Sequence, residues 1–179
     1  MTEPDTSQTV VLIDGRSGSG KTELAAVLVR EWPEAQLVRL DGVYPGWDGL
    51  RDGSDAVHRV ILPSQRWRRW DWASSSLAEW HDLDPARPLI IEGCGALSRA
   101  NRALATLGVW VELPTHQRMT RALDRDGDMF APHWYRWAAQ EDAFIAAENP
   151  RELADTEVDG TDVSLEVGSL LGMIEARAR

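Results

Sequence analysis

The chain has a single cysteine, Cys94, among 179 residues, so an intrachain disulfide or a cysteine-rich metal site is excluded. The histidines His58, His81, His116 and His133 have no ligand-like spacing and read as surface or structural groups. No apolar run approaches membrane-spanning length. Met1 to Thr9 is polar and acidic, without the apolar centre of a signal peptide, so a cytoplasmic location is expected. Basic residues are outnumbered 19 to 29, for a net charge of −10. That argues against broad attraction to nucleic acid or anionic membranes, while leaving room for a local basic site. Repeats, low-complexity segments and linkers are missing too. Residues 1–8 read as a disordered tail and 9–179 as one domain with a substantial core, monomeric or homodimeric.

Tryptophan, in contrast, is abundant, with nine residues. Most, notably Trp32, Trp80 and Trp110, are expected to fill the core and cover helix faces. Trp67, Trp70 and Trp72 form a cluster beside charged residues.

An apolar, β-branched run, Val10 to Asp14, leads into Gly15-Arg16-Ser17-Gly18-Ser19-Gly20-Lys21-Thr22 and then a helical stretch from Glu23 to Arg30. This is the G-x-x-x-x-G-K-[ST] pattern in its strand–loop–helix setting. Glycines let backbone amides turn inward around a triphosphate, and the following helix presents its positive end to the same phosphates. Lys21 would reach the β- and γ-phosphates, and the Thr22 hydroxyl would ligate Mg2+. ATP binding is the expectation. No Asn-Lys-x-Asp guanine motif or Leu-Ser-Gly-Gly signature occurs, and Glu92-Gly93-Cys94-Gly95 is not the usual Asp-x-x-Gly switch, which argues against a GTPase or a motor module.

Further strands are expected at Gln36–Leu40, Leu89–Glu92, Val109–Leu113 and Thr156–Asp159. Helices are expected at Ser54–Leu62, Ser74–Trp80, Leu97–Leu107, Thr115–Asp124, Ala131–Ala147 and Asp162–Ala178. Five strands alternating with helices imply an α/β fold, a three-layer P-loop NTPase sandwich on a five-stranded parallel sheet. Ligands in such folds sit at the carboxyl ends of the strands.

An ordered series of motifs across roughly residues 10–161 resembles the uridine-kinase-like P-loop kinases, the group of uridine kinase, phosphoribulokinase, pantothenate kinase and nicotinamide riboside kinase. After Gly15–Thr22 come Asp41-Gly42-Val43-Tyr44, Arg69-Trp70-Asp71-Trp72, Ile90-Ile91-Glu92-Gly93, the arginine series Arg118, Arg121 and Arg125, and Ala154-Asp155 before the last strand. Two departures argue against uridine itself as acceptor. No base-holding hairpin is read between the Asp41 and Glu92 motifs, and the lid, about residues 125–132, is abbreviated to Asp126-Gly127-Asp128.

The resemblance implies a kinase that transfers the γ-phosphoryl group of MgATP to a hydroxyl of a nucleoside-, vitamin- or sugar-like molecule. The alternative is an ATP-binding protein without kinase activity. Asp41, at the end of the second strand, is the expected base, although an Asp before Gly also caps loops. Glu92 ends an apolar strand and would hold Mg2+ with Thr22, or else be satisfied by nearby amides. Arg118, Arg121 and Arg125 share one helix face. Arg125 and then Arg121 are the candidates to stabilise transferring charge, the other reading being a solvated face paired with Asp124, Asp126 and Asp128. Tyr44, Trp47, Arg66, Arg69, Asp71 and Trp72 are candidates for the acceptor pocket. Aromatic walls with a carboxylate that binds paired hydroxyls would suit a ribose or another polyol; aromatic packing with surface arginines is the other reading. Asn149-Pro150-Arg151 would border the adenine by family analogy, and Cys94 reads as a buried, inert thiol.

Overall fold

A computed structural model of the chain describes residues 8–178, with the side chains of Asp126 and Asp128 excepted. The expected disordered tail lies outside these residues apart from Gln8. Contrary to that expectation, the Gln8 side-chain amide donates to the carbonyls of Asp84 (3.3 Å) and Arg87 (2.8 Å).

Five strands form one parallel sheet in the order β2-β5-β1-β6-β7: β1 (Val10–Asp14), β2 (Gln36–Arg39), β5 (Leu89–Glu92), β6 (Leu107–Glu112) and β7 (Thr156–Asp159). The central strands β1 and β5 are buried along their whole length, as sheets covered on both faces require. On one face, Leu24 and Leu28 of α1 (Lys21–Glu31) and Leu170 and Ile174 of α8 (Val167–Arg177) cover Val11, Ile13 and Val109. On the other face, Leu12 and Ile91 pack with Leu50 of α2 (Leu50–Ala56), Val57 and Ile61 of a π-helical turn (Val57–Ile61), and Trp137 and Phe144 of α6 (Trp134–Glu148). The α/β sandwich with a five-stranded parallel sheet is therefore present.

Helix extents differ from expectation at several places, among them the closing helix, which begins at Val167 after a 3-10 turn, Val163–Glu166, instead of at Asp162. Helical structure around residue 57 begins earlier, at Leu50, and a short α3 (Leu62–Ser64) carries it through Pro63. The helix expected over Leu97–Leu107 shrinks to α4 (Arg99–Arg102), capped by Ser98, because the Leu97 amide is committed to Asp14 (2.8 Å) and Leu107 opens β6. Helix α5 (Thr115–Phe130) does not stop at Asp124. It is interrupted only at Gly127 (φ 51°, ψ −131°) and passes through a 3-10 turn, Ala131–His133, into α6. The short helix α7 (Pro150–Leu153) precedes β7.

The larger correction concerns residues 66–82. Ser74–Trp80 is not a helix. Strands β3 (Arg66–Asp71) and β4 (Ser76–Asp82) pair antiparallel, with a bulge between Arg68 and Trp70, so a hairpin does stand between the Asp41 and Glu92 motifs. Cross-strand side-chain pairs hold its two strands together. The Trp67 ring stacks on His81 at 4.4 Å, the Arg66 guanidinium lies 4.4 Å from the Trp80 ring, and Arg69 grips Glu79 through two bonds of 2.6 and 3.1 Å. Trp80, expected in the core, is instead 46% exposed beneath Arg66, whereas Trp110 is buried. The hairpin leans on the loop after β2: Trp67 packs beside Gly42, and the Trp72 indole donates to the Asp41 carbonyl at 2.9 Å.

Candidate active site

The phosphate loop joins β1 to α1 and is held from three sides. Beneath it, the buried Asp14 carboxylate accepts the amides of Gly15 (2.7 Å), Gly95 (3.0 Å) and Leu97 (2.8 Å), tying the loop after β1 to the loop after β5. From α5, the Arg118 guanidinium donates to the carbonyls of Leu113 (3.0 Å) and Ser17 (3.2 Å) and to the Thr115 hydroxyl (3.0 Å). From α6, the Glu141 carboxylate accepts the Ser17 amide (2.7 Å) and the Cys94 thiol (3.3 Å), with Arg16 beside it at 3.7 Å. Arg16 also pairs with Asp142. Gly18 takes a left-handed conformation (φ +78°), where a Cβ would lie 2.1 Å from the Arg118 carbonyl oxygen. A Cβ on Gly160, after β7, would lie 2.0 Å from the Ser19 carbonyl oxygen.

Among the described residues, the amides of Gly18, Gly20, Lys21 and Thr22 have no hydrogen-bond acceptor. These are the groups a polyphosphate needs at a helix start. Lys21 is 7% exposed, and its ammonium donates to the Arg16 carbonyl at 3.0 Å, across the loop. Burial opposes its charge, but the acid groups of Cys94, Glu92, Glu141 and Asp14 prevail and hold its pKa above the ordinary value.

Thr22 donates its hydroxyl to Glu92 Oε1 at 3.1 Å. Burial, then the nearby Asp41, raise the Glu92 pKa, opposed by Lys21, Thr22 and Arg39. A hydroxyl and a carboxylate held together are oxygen donors of the kind Mg2+ takes. The described residues contain no group of three or more acidic, histidine or cysteine side chains able to hold a metal unaided. The donor pair therefore fits a magnesium ion whose other oxygens come from phosphate and water.

Asp41 lies in a 3-10 turn, Leu40–Gly42, at the end of β2, and borders two spaces. One is a cavity of about 170 Å3 with walls from Tyr44, Trp47, Trp72, Phe130 and Trp137. The other is an open groove that Asp41 shares with Thr22, Arg39, Trp67 and Arg69. Arg125 borders both, and also a third groove of about 350 Å3 along Gly18, Gly20, Lys21 and Thr22, where Arg121 stands too. Arg121 donates to the carbonyls of Gly160 (2.6 Å) and Thr161 (3.3 Å).

The structure thus brings Tyr44, Trp47 and Trp72 to the cavity and Arg69 to the neighbouring groove, but separates two expected acceptor residues from them. Arg66 covers Trp80 and faces Asp82 at 3.5 Å. Asp71 caps its own turn through the Ala73 amide (3.1 Å) and the Ser74 hydroxyl (2.7 Å). Arg118 is buried against the phosphate loop instead of joining a solvated face. Beside Pro150 the open space, bordered by Gly15 and Trp110, is only about 10 Å3, too small for an adenine as it stands. Arg151 there is paired with Glu157.

Sequence reasoning missed Asp14, Glu141, Phe130 and Trp137 as parts of the site. Trp137 and Glu141 stand four residues apart on one helix face. An acid on an otherwise apolar, tryptophan-bearing face was the available signal.

No family model matches the chain, and no similar curated protein was found. Solved structures do match. A "Possible Uridine Kinase" from Bacillus stearothermophilus is 19% identical over 84% of this chain and 88% of its own, with a TM-score of 0.58. A gluconokinase from Sinorhizobium meliloti 1021 is 18% identical over 97% and 94%, with a TM-score of 0.57. Shikimate kinase from Acinetobacter baumannii, solved with shikimate, is 16% identical over 96% and 95%, with a TM-score of 0.54. No helix among the described residues is long and apolar enough to cross a membrane. The parallel sheet, the loop at its carboxyl edge and these likenesses together establish that the chain has the P-loop kinase fold.

Proposed function

We propose that this protein is a kinase that moves the γ-phosphoryl group of ATP to a hydroxyl of a small molecule. The carrying observation is the place of Asp41: the residue borders the aromatic cavity, and across Arg125 and Thr22 it adjoins the groove of acceptorless loop amides. In this reading the amides of Gly18 to Thr22 and the Lys21 ammonium hold the phosphates. Arg125, with Arg121 behind it, steadies charge on the transferring group. Asp41 accepts the proton of the acceptor hydroxyl as its oxygen bonds the γ-phosphorus and the bond to the bridging oxygen breaks, releasing ADP. Mg2+ held by Thr22 and Glu92 would neutralise phosphate charge.

The hairpin removes one of the two grounds, a missing hairpin and a short lid, for the alternative of a nucleotide-binding protein without catalysis. The test uses two variants. Lys21→Ala is expected to lose MgATP binding or phosphotransfer. Asp41→Asn should keep nucleotide binding while turnover falls by roughly 100-fold or more. Wild-type ATP affinity in the first variant would contradict the cradle, and full turnover in the second would remove Asp41 as base.

A further inference from the structure

The cavity beside Asp41 carries information about the acceptor, on the assumption that the kinase reading holds. Its volume of about 170 Å3 is close to that of cavities, on the order of 150 Å3, that accommodate one benzene ring. Five aromatic rings form its walls, and among the described residues the polar lining beside the Tyr44 hydroxyl comes from Ser17, Asp41 and Arg125. Ser17 belongs to the phosphate loop, while Asp41 and Arg125 also border the neighbouring groove with Thr22. The polar lining therefore comes from residues that also serve the phosphate side. On the ring-bearing wall two of the polar groups are already engaged: the Tyr44 hydroxyl donates to the Cys94 carbonyl at 2.8 Å, and the Trp72 indole donates to the Asp41 carbonyl.

A polyol in this cavity would bury several hydroxyls with few partners, and each one left unpaired weakens binding by a factor of roughly ten. The carboxylate expected to read paired hydroxyls, Asp71, is engaged in the hairpin turn. A sugar acid would find one cationic lining residue, Arg125, since Arg69 is paired with Glu79 outside the cavity. A flat apolar body, by contrast, gains from every wall by stacking or edge contact.

We infer that the acceptor is a compact alcohol built on a single flat ring, with the reacting hydroxyl as its principal polar group, rather than a polyol or a sugar acid. The ring lies against the wall that the packed rings of Trp47, Trp72 and Trp137 form, and its hydroxyl lies toward Asp41.

The experiment pairs direct binding with turnover in the full chain. Benzyl alcohol and pyridinemethanol are titrated against ribose and gluconate by calorimetry, and each compound is then assayed for ADP release with MgATP. Ring alcohols are expected to bind at least about tenfold tighter than either polyol and to release ADP. Met129, which also lines the cavity, is 70% exposed, so Met129→Trp should narrow the opening without unfolding the protein. It is expected to weaken ring-alcohol binding about tenfold or more. Ring-alcohol binding that is lost in Met129→Trp but never accompanied by ADP release would support the cavity's ligand class and remove the kinase reading. Faster turnover of ribose or gluconate would overturn the inference and leave the kinase reading intact. Binding by none of the compounds, or ring-alcohol binding indifferent to Met129→Trp, would also overturn it.

Discussion

Burial at the end of β1 raises the pKa of Asp14 to about 6, even though the amides of Leu97, Gly15 and Gly95 and the charge of Lys21 all favour its ionised form. The unfolded chain gives up this proton near the ordinary value of 3.8, whereas the folded chain keeps it longer. Between about pH 4 and 6 the folded state therefore binds more protons, and the Asp14 contribution to stability declines as pH rises. The decline is on the order of 2–3 kcal/mol, complete once pH passes the folded value. Urea unfolding of the wild type and Asp14→Asn at pH 4 and pH 7 would measure it: the stability difference between the two proteins should shift by that amount. A pH-independent difference would show that the carboxyl does not titrate in this way. Cys94 has the same cause at work, burial first, which pushes its thiol up to about 12 against the opposing charge of Lys21. At pH 8 a thiol reagent should label the native protein roughly 100-fold or more slowly than the unfolded chain. Comparable rates would mean the thiol is accessible.

Among the elements, α6 links the two halves of the site. Trp137 lines the cavity, and Gln140 donates to the Trp47 carbonyl at 2.6 Å. One turn on from Trp137, Glu141 holds the Ser17 amide of the phosphate loop. Glu141→Leu would leave that amide without its carboxylate, at a cost of about 1–3 kcal/mol. MgATP affinity is expected to fall roughly tenfold with it, as the loop loses its support from α6. Nucleotide titration and urea unfolding of this variant check both effects, and two unchanged values would show that the loop holds its shape without α6. Elements with a local signature were legible in the sequence: β5 has its expected bounds because an apolar run of Leu and Ile stops at Glu92 and Gly93. The hairpin was not legible. Ser74–Trp80 offers no strong period of its own, and its strand state depends on partners such as Arg66, Arg69 and Trp67 about ten or more residues earlier. Likewise, Leu97 is drawn out of a helical pattern by a carboxylate 83 residues away.

At the level of the whole molecule, the sheet order could be anticipated only as a class, since strand neighbours are set by crossovers and not by any single stretch. The location of Asp41 at the seam between cavity and groove follows from that order, because β2 ends beside β5, where Glu92 stands. Nucleotide bound to the folded state alone should stabilise the protein as a unit. At a free concentration 100 times the Kd the gain is about 2.7 kcal/mol, read as a rise in the thermal midpoint that Lys21→Ala abolishes. No rise with MgATP in the wild type would contradict binding at the loop. Lys21 is also the only lysine in the chain, so no other ε-ammonium can substitute for it.

The close approaches of Gly18 to the Arg118 carbonyl and of Gly160 to the Ser19 carbonyl fix two successive residues of the phosphate loop against α5 and the turn after β7. Clamped there, the loop has little conformational freedom left to surrender when a ligand arrives. The entropic cost of its shape falls on folding instead, and a methyl group at either glycine would pry the mould open before any nucleotide could fill it.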